Sequence, residues 1–434
     1  MLYTSVMIFT RVKAAKPLVG DCFKNRRYYD IYGFRAQKAK RRLAFTRWTL
    51  AAVVCALFIP LTVMLGIREN TYTAEWWTTH MQAGWEKAVG TLVGWLPFSV
   101  LEFFIVVGII LGLYLLVRLF VNLCKGRFGR VLTGVLCVAL GAVYILDLYI
   151  MSMGFGYYRK EMPLPMSREQ YTREQTAEVV EYFLSDYNAL AESLPRDGNG
   201  CVICPYTFGE LARLVKEEYK RVDDPYFASY TPNAKPIVNS WFLSDMLITG
   251  VTFLPFGEAT LNVDAPHSAV TLTVAHELAH AKGVQREGDA NLLSRYLLLS
   301  SDNDYLRYCG YYGAFDNLLS ALLLFEDREA YNAYGVSISP LVYKERAYSR
   351  SYWAAQPDII GNIAEFFNDL YLKLNGASNG TGSYNDGNQS SIVVPINPDT
   401  GEPDRDPDTG DVVKIINFSQ VQRVFFGIYE KRTK

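Results

Sequence analysis

Three long runs of apolar residues occupy the first third of the chain. They cover residues 48–67, 96–117 and 131–153, and each contains at most one acidic residue. A helix needs about 20 apolar residues to cross the hydrocarbon core of a bilayer. The first run lies too far from the N-terminus for a simple secretory signal. The pattern therefore predicts a region of three transmembrane helices over residues 48–156.

Basic residues are concentrated at one set of predicted helix ends. The segment 1–47 is rich in Lys and Arg, and three further basic residues lie within 125–130. Because positively charged loops remain in the cytoplasm, we expect 1–47 to be a basic cytoplasmic tail. Residues 157–434 are then extracytoplasmic, as in a multi-pass protein of the plasma membrane. Glu102 lies near the outer end of the second run, and we assign it no role.

After about residue 157 the pattern changes to that of amphipathic helices. Capping-box sequences at 172–175 and 207–210 precede apolar residues at helical spacing. A short extended segment, 259–263, comes before a helix that runs from about residue 269 to Gly283. The sequence therefore predicts a mainly α protein, in which three transmembrane helices are followed by a helix-rich α+β domain.

Residues 376–411 have a different composition. Gly, Ser, Asn, Asp and Thr dominate, and Pro-Asp-Thr-Gly occurs at both 398–401 and 407–410. These are turn signals. The acidic residues of this stretch lack the spacing of an EF-hand calcium site. We predict a polar, flexible, solvated loop or a hairpin here.

Composition and charge narrow the functional classes. Half of the 434 residues are hydrophobic, yet the mean hydropathy is only +0.04 and the formal net charge is −1. No overall basic character points to nucleic acid as a partner. Seven scattered cysteines do not form a disulfide framework. Cys201 and Cys204 are either a local disulfide or two ordinary thiols.

The segment His276-Glu277-Leu278-Ala279-His280 contains candidate metal-binding and catalytic residues. Residues four apart on a helix share a face, so both imidazoles can bind one Zn²⁺ ion. Glu277 is then placed to act as the general base toward an attacking water. The chain has only four histidines, and two of them occupy this motif. In the alternative interpretation, both histidines form hydrogen bonds in the protein core and bind no metal ion.

A third metal ligand is expected shortly after the motif. Gly283 allows the helix to end in a left-handed turn, so that the chain can reverse. Glu287 is the favoured ligand because its side chain has the longer reach. Asp289, or a ligand elsewhere in the chain, is the alternative.

Glu287-Gly-Asp-Ala290-Asn291 resembles the third-ligand signature of the glutamate-zincins, with Asn291 in place of the usual aspartate that orients a ligand histidine. The chain also resembles an uncharacterised family of bacterial membrane proteins that are described as zinc metallopeptidases. The matching segments are 235–236, Ser240, 256–259, Asn262, 276–280, 286–287, 290–291, 307–311 and 371–376. The resemblance implies a zincin-like domain over residues 157–434 and a zinc site, but no particular substrate.

These features predict a membrane-anchored zinc metallopeptidase that acts on a peptide or protein substrate. Tyr308 and Tyr311 are candidate donors to the oxyanion, although a packing role is common in so tyrosine-rich a chain. By analogy with zincins, the segment that contains Glu258 and Asn262 is a candidate to pair with an extended substrate.

Three other functions are alternatives to this one. An intramembrane protease would need the motif inside an apolar span, whereas Lys282, Arg286 and Glu287 surround it. A non-catalytic zinc-binding sensor or transducer would use the basic tail for a partner or for anionic lipid. An amidase that acts on cell-wall or lipid amides would use the same site. The lipid bilayer is an expected partner in every case.

Overall fold

A computed structural model describes residues 22–398, 400–407 and 410–434 of the chain. Its first five α-helices are α1 (Cys22–Ile67), α2 (Thr71–Trp76), α3 (Ala83–Val93), α4 (Val100–Cys124) and α5 (Phe128–Tyr149). Residues 1–21 of the predicted basic tail lie outside the described residues. The rest of that tail belongs to α1.

Three stretches are long and apolar enough to cross a membrane, namely Gln37–Ile67, Val100–Cys124 and Phe128–Tyr158. They confirm the number of candidate spans predicted from the apolar runs. The second span begins later than its apolar run. The reason is a local cap, since Ser99 Oγ accepts a hydrogen bond from the backbone N–H of Glu102 at 3.0 Å.

Two compact units account for the described chain. One unit comprises α1 up to Ala56 together with residues 119–141, and in it Arg47 Nε donates to Thr133 Oγ1 at 3.3 Å. The other comprises residues 57–118 and 142–434. This second unit includes parts of the candidate spans as well as the region after residue 157.

The remaining helices are α6 (Arg173–Ser193), α7 (Phe208–Glu218), α8 (Ser240–Asp245), α9 (His267–Ala281), α10 (Glu287–Leu299), α11 (Asp304–Leu319), α12 (Arg328–Val336), α13 (Pro340–Ala354), α14 (Asp358–Leu374) and α15 (Gln420–Thr433). Both predicted capping boxes are present. Thr172 and Gln175 form one at the start of α6, and Thr207 and Glu210 form the other at the start of α7. The protein is mainly helical, as the sequence predicts.

A small sheet packs against α9. Its strands are β1 (Ala234–Pro236), β2 (Gly250–Phe253) and β3 (Glu258–Leu261), in the order β1-β3-β2. Strand β3 overlaps the predicted extended segment 259–263, and it pairs parallel to β1 and antiparallel to β2. Because both of its edges are paired, β3 cannot accept a further strand. The prediction that this segment pairs with a substrate is therefore wrong.

An aromatic core lies between α6, α11 and α15. Tyr187 of α6 contacts Tyr308 and Tyr311 of α11, with ring centroids 5.6 and 5.4 Å apart, and all three side chains are fully buried. Phe183 and Phe425 extend the same cluster. This core supports the helices that carry the candidate site.

Cys201 and Cys204 are free thiols. Burial raises the pKa of the Cys201 thiol to about 12, so this side chain stays protonated and unreactive at neutral pH. Of the two alternatives left open by the sequence, the structure contains the pair of ordinary thiols.

The polar stretch 376–411 is only partly a solvated loop. It contains a short 3₁₀ turn, Gly380–Asn385, and the backbone carbonyl of Asn388 accepts a hydrogen bond from Asn317 Nδ2 at 2.9 Å. Two short antiparallel strands follow, β4 (Ser391–Val393) and β5 (Ile415–Asn417). The solvated-loop prediction is wrong for the 3₁₀ turn, because residues 380–385 pack against α10 and α14.

Candidate metal centre

Helix α9 presents two imidazoles on one face. His276 and His280 are four residues apart, and their Nε2 atoms lie 3.1 Å from each other. The ring planes are nearly perpendicular, at 88°, with centroids 4.7 Å apart. The structure thus brings together the two nitrogens that the helical spacing predicts to be neighbours.

Glu287 joins the cluster from the start of α10. The chain reverses after α9 through Gly283, whose φ of 86° lies in the left-handed region. Glu287 Oε2 then lies 3.1 and 3.4 Å from the two imidazole Nε2 atoms. The alternative ligand, Asp289, instead forms an ion pair with Arg286 at 2.6 Å. Glu287 is therefore the carboxylate that approaches both imidazoles.

The spacing of the three ligand atoms fits a zinc ion. The candidate ligand atoms of His276, His280 and Glu287 all lie within 4.8 Å of one another. Zinc bonds of about 2.0–2.1 Å in a tetrahedron place the ligand atoms roughly 3.3 Å apart. The separations between the Nε2 and Oε2 atoms agree with this value. Three protein ligands would leave one tetrahedral position for water or substrate.

The electrostatics of the cluster are those of a site that attracts positive charge. Burial on its own would raise the pKa of Glu287, but the His280 charge and the hydrogen bonds from both imidazoles lower it to about 2. Burial would lower the pKa of His280, whereas the neighbouring Glu287 carboxylate raises it, to about 9. A buried carboxylate thus remains ionised beside these imidazoles.

A hydrogen bond at Nδ1, the ring nitrogen that faces away from the cluster, orients each imidazole. Nδ1 of His276 lies 2.9 Å from Asn291 Oδ1, and Nδ1 of His280 lies 2.8 Å from the Val284 carbonyl oxygen. Because both partners are acceptors, Nδ1 carries a proton in each ring, so Nε2 is the nitrogen that can bind a metal ion once its own proton is lost. Asn291 Nδ2 donates to the Tyr384 carbonyl oxygen at 2.9 Å, which sets the amide orientation. Asn291 thus contacts one candidate ligand histidine.

Glu277 lies next to the cluster and faces strand β2. Thr252 Oγ1 is 2.7 Å from Glu277 Oε2, to which it can donate. The backbone of Gly250 passes so close that a Cβ atom there would lie 2.7 Å from Glu277 Oε1. Glycine permits this approach because it has no side chain. Strand β2 therefore positions the predicted general base.

A cavity of about 710 Å³ adjoins the three candidate metal ligands and Glu277. Three tyrosines that the sequence analysis did not select also line it, namely Tyr157, Tyr371 and Tyr384. The Tyr384 ring stacks against that of His276, with centroids 6.3 Å apart and an interplanar angle of 27°. Burial raises the pKa of the Tyr384 hydroxyl, so it stays protonated and can donate a hydrogen bond.

Tyr308 and Tyr311 lie in the aromatic core and do not line the cavity. The Tyr308 hydroxyl donates to Glu345 at 2.6 Å, and the Tyr311 hydroxyl donates to Asp186 at 2.7 Å. Their prediction as oxyanion donors is wrong, because α11 directs both side chains toward α6 and α13. No local sequence signal marks Tyr384, which follows a glycine-rich stretch.

Glu258 and Asn262 have structural partners. Glu258 Oε1 accepts from the backbone N–H of Leu101 at 2.7 Å, and its Oε2 pairs with Lys235 Nζ at 2.9 Å. Asn262 Nδ2 donates to the Ile248 carbonyl oxygen at 3.0 Å. Both side chains are buried. They connect the sheet to α4 and to the loop before β2, so their predicted contact with a substrate is wrong.

The fold and the site define a mainly helical protein with three candidate membrane spans and a three-ligand candidate metal centre on two consecutive helices. Residues 77–387 match the family described as a protein of unknown function (DUF3810). The match covers more than half of the chain, and the protein belongs to this family. The matched range contains every residue of the candidate metal cluster together with Tyr384. No curated protein and no solved structure matches the chain.

Proposed function

We propose that the protein is a membrane-anchored zinc metallopeptidase with a zincin-like site. One observation carries the proposal. The ligand atoms of His276, His280 and Glu287 converge at the spacing of a tetrahedral zinc site, and Glu277 lies beside them on the same helix. Two imidazoles, a carboxylate and an adjacent acid are the groups that zinc-dependent hydrolysis requires.

Bound zinc would act as a Lewis acid on the substrate carbonyl and would lower the pKa of a water molecule. Glu277 accepts the proton of the attacking water and transfers it to the leaving amine. The Thr252 hydroxyl, at 2.7 Å, holds Oε2 of this carboxylate, so that Oε1 serves the proton transfer. Tyr384 is the best placed donor to the oxyanion, since its ring stacks on His276 at the edge of the cavity.

Strand β2 is suited to bind an extended peptide. Its residues Gly250 to Thr252 line the cavity, and it pairs with β3 along one edge only among the strands of the described residues. The second edge can accept a substrate segment by backbone hydrogen bonding. This role replaces the one that the sequence analysis gave to β3.

The membrane topology is also a proposal. The basic residues in 1–47 and 125–130 support a cytoplasmic N-terminus. With three spans, the metal cluster then lies outside the plasma membrane.

Metal analysis and peptide hydrolysis test the proposal on the full-length protein in detergent. We expect wild-type protein to copurify with zinc and to cleave peptides in a mixed library. Glu277→Gln should retain zinc and lose hydrolysis, whereas Glu287→Ala should lose most of the zinc. Asp289→Ala is the matched control, because it removes a neighbouring acid that is not in the cluster.

Each alternative outcome has a distinct meaning. Hydrolysis that persists in Glu277→Gln would refute the assigned base, and zinc retention in Glu287→Ala would refute the third ligand. Zinc without any hydrolysis would favour a sensor or transducer. Cleavage of cell-wall or lipid amides in place of peptides would favour an amidase.

A further inference from the structure

Two helices in the second unit expose apolar side chains. On α14 these recur at helical spacing and include Ile359, which is 76% exposed, and Phe366, which is 64% exposed. Trp241 of α8 is 60% exposed, and Val238, two residues before the helix, is 80% exposed. Leu247, just after α8, packs on α14, since a Cβ atom added at Gly361 would lie 2.8 Å from Leu247 Cδ1. The two helices therefore share one apolar surface, which soluble domains rarely leave uncovered.

The residues just before α8 and the end of α14 are hydrogen-bonded to the ends of candidate spans. Glu102, in the first turn of α4, accepts from the backbone N–H groups of Val238 and Asn239 at 3.0 Å each. Arg68, just after α1, donates to the Leu374 carbonyl oxygen at 2.9 Å, at the end of α14. Ends of spans lie where the hydrocarbon core meets the lipid headgroups. The apolar surface is thereby held at the level of the membrane interface.

The cavity at the metal cluster lies between the same two helices. Phe242 and Met246 line it from α8 and the residue after it, and Ile363 and Phe367 line it from α14. Met153, near the end of the third candidate span, completes this wall. A peptide that enters from this side passes apolar side chains before it reaches the metal ligands.

We infer that α8 and α14 lie in the membrane interface and that the cavity admits peptide segments tethered to the same bilayer. The occupant of the apolar surface is lipid, because the adjoining surface is that of the membrane spans themselves. The substrate class, peptides next to a membrane anchor, rests on the proposed peptidase function. The position of the two helices in the membrane does not.

Photo-crosslinking locates the apolar surface. Benzoylphenylalanine is introduced at Phe366 in the full-length protein, which is reconstituted in vesicles of phosphatidylethanolamine and phosphatidylglycerol. We expect lipid adducts at this position at the level found for Ile110 within α4. Val336 of α12 is the control, because it is 86% exposed but has no hydrogen bond to a span end in the described chain. Adducts at Phe366 no more frequent than at Val336, or adducts with a second copy of the chain, would overturn the inference.

A second probe at Phe367, whose side chain lines the cavity, tests the substrate class. One peptide is offered either free or attached to a vesicle lipid through an acyl chain or a transmembrane helix. Tethering raises the effective concentration, and we expect adducts with the tethered forms at about 100-fold lower peptide concentration than with the free peptide. Equal labelling would overturn the inference. The acyl and transmembrane arms show which anchor is accepted.

The readout separates this inference from the proposed function. Adducts with tethered peptide but no hydrolysis would refute the peptidase function and leave the inference intact. Hydrolysis of free peptide without adducts from the tethered forms would refute the inference and leave the peptidase function intact.

Discussion

Asn291 connects the metal cluster to the segment that carries Tyr384, and substitutions can separate these two connections. Its Oδ1 accepts from His276 Nδ1 at 2.9 Å, and its Nδ2 donates to the Tyr384 carbonyl oxygen at 2.9 Å. Asn291→Ala removes both hydrogen bonds. Asn291→Asp keeps the acceptor and strengthens it through charge, but an aspartate cannot donate to the Tyr384 carbonyl.

The expected magnitudes follow from these contacts. Loss of the outer partner of a ligand histidine weakens metal binding by about 10- to 100-fold, which is about 1.4–2.7 kcal/mol. We expect this loss for Asn291→Ala. Asn291→Asp should bind zinc at least as tightly as wild type. Asn291→Asp instead affects Tyr384, whose carbonyl loses a hydrogen bond of about 1 kcal/mol and faces a second acceptor oxygen. Hydrolysis should therefore fall while zinc affinity is kept.

Two assays check this reasoning. Competition with a chromogenic chelator measures zinc affinity, and limited proteolysis measures exposure of residues 380–388. Asn317→Ala is the matched control, because it removes a hydrogen bond to Asn388 in the same segment without touching a metal ligand. It should increase proteolysis and leave zinc affinity unchanged. Wild-type zinc affinity in Asn291→Ala, or unchanged proteolysis in Asn291→Asp, would refute the assigned connections.

Three further predictions concern the neighbours of the site. Gly250→Ala places a methyl group about 2.7 Å from Glu277 Oε1 and should lower kcat about 100-fold with zinc content retained; an unchanged kcat would contradict the position of the carboxylate. Tyr384→Phe should lower kcat about 100- to 1,000-fold with little change in KM, whereas an effect on KM alone would indicate substrate binding. Glu258→Ala removes the carboxylate that neutralises the buried Lys235 ammonium and should destabilise the fold by about 3–5 kcal/mol; an unchanged Tm would refute this.

Features set by nearby residues could be predicted from the sequence. The two imidazoles meet because helical geometry places residues four apart on one face. Glu287 reaches them because Gly283 lets the chain reverse within a few residues. The number of candidate spans follows from the length of each apolar run. In each case the determining contacts are local or depend on composition.

Features set by distant residues could not be predicted in this way. Tyr384 accepts its hydrogen bond from a side chain 93 residues earlier, and a polar, glycine-rich stretch offers no signal for such packing. Helical periodicity gives Tyr308 and Tyr311 a common face but does not reveal which neighbour that face contacts. The partner of Glu258 on α4 lies 157 residues away. Such pairings depend on tertiary packing, which a single sequence does not specify.

Hydrogen bonds connect the ends of candidate spans to the sheet and to α14. They limit which fragments of the chain can be expressed separately. A fragment that begins after the third span would retain Glu258 and the end of α14 but lose the Leu101 N–H and the Arg68 guanidinium. A buried carboxylate and a helix-terminal carbonyl would then lack their donors. Expression of the residues after the third candidate span alone should yield poorly folded material. Structure determination and inhibitor screening therefore call for the intact chain in a micelle or nanodisc.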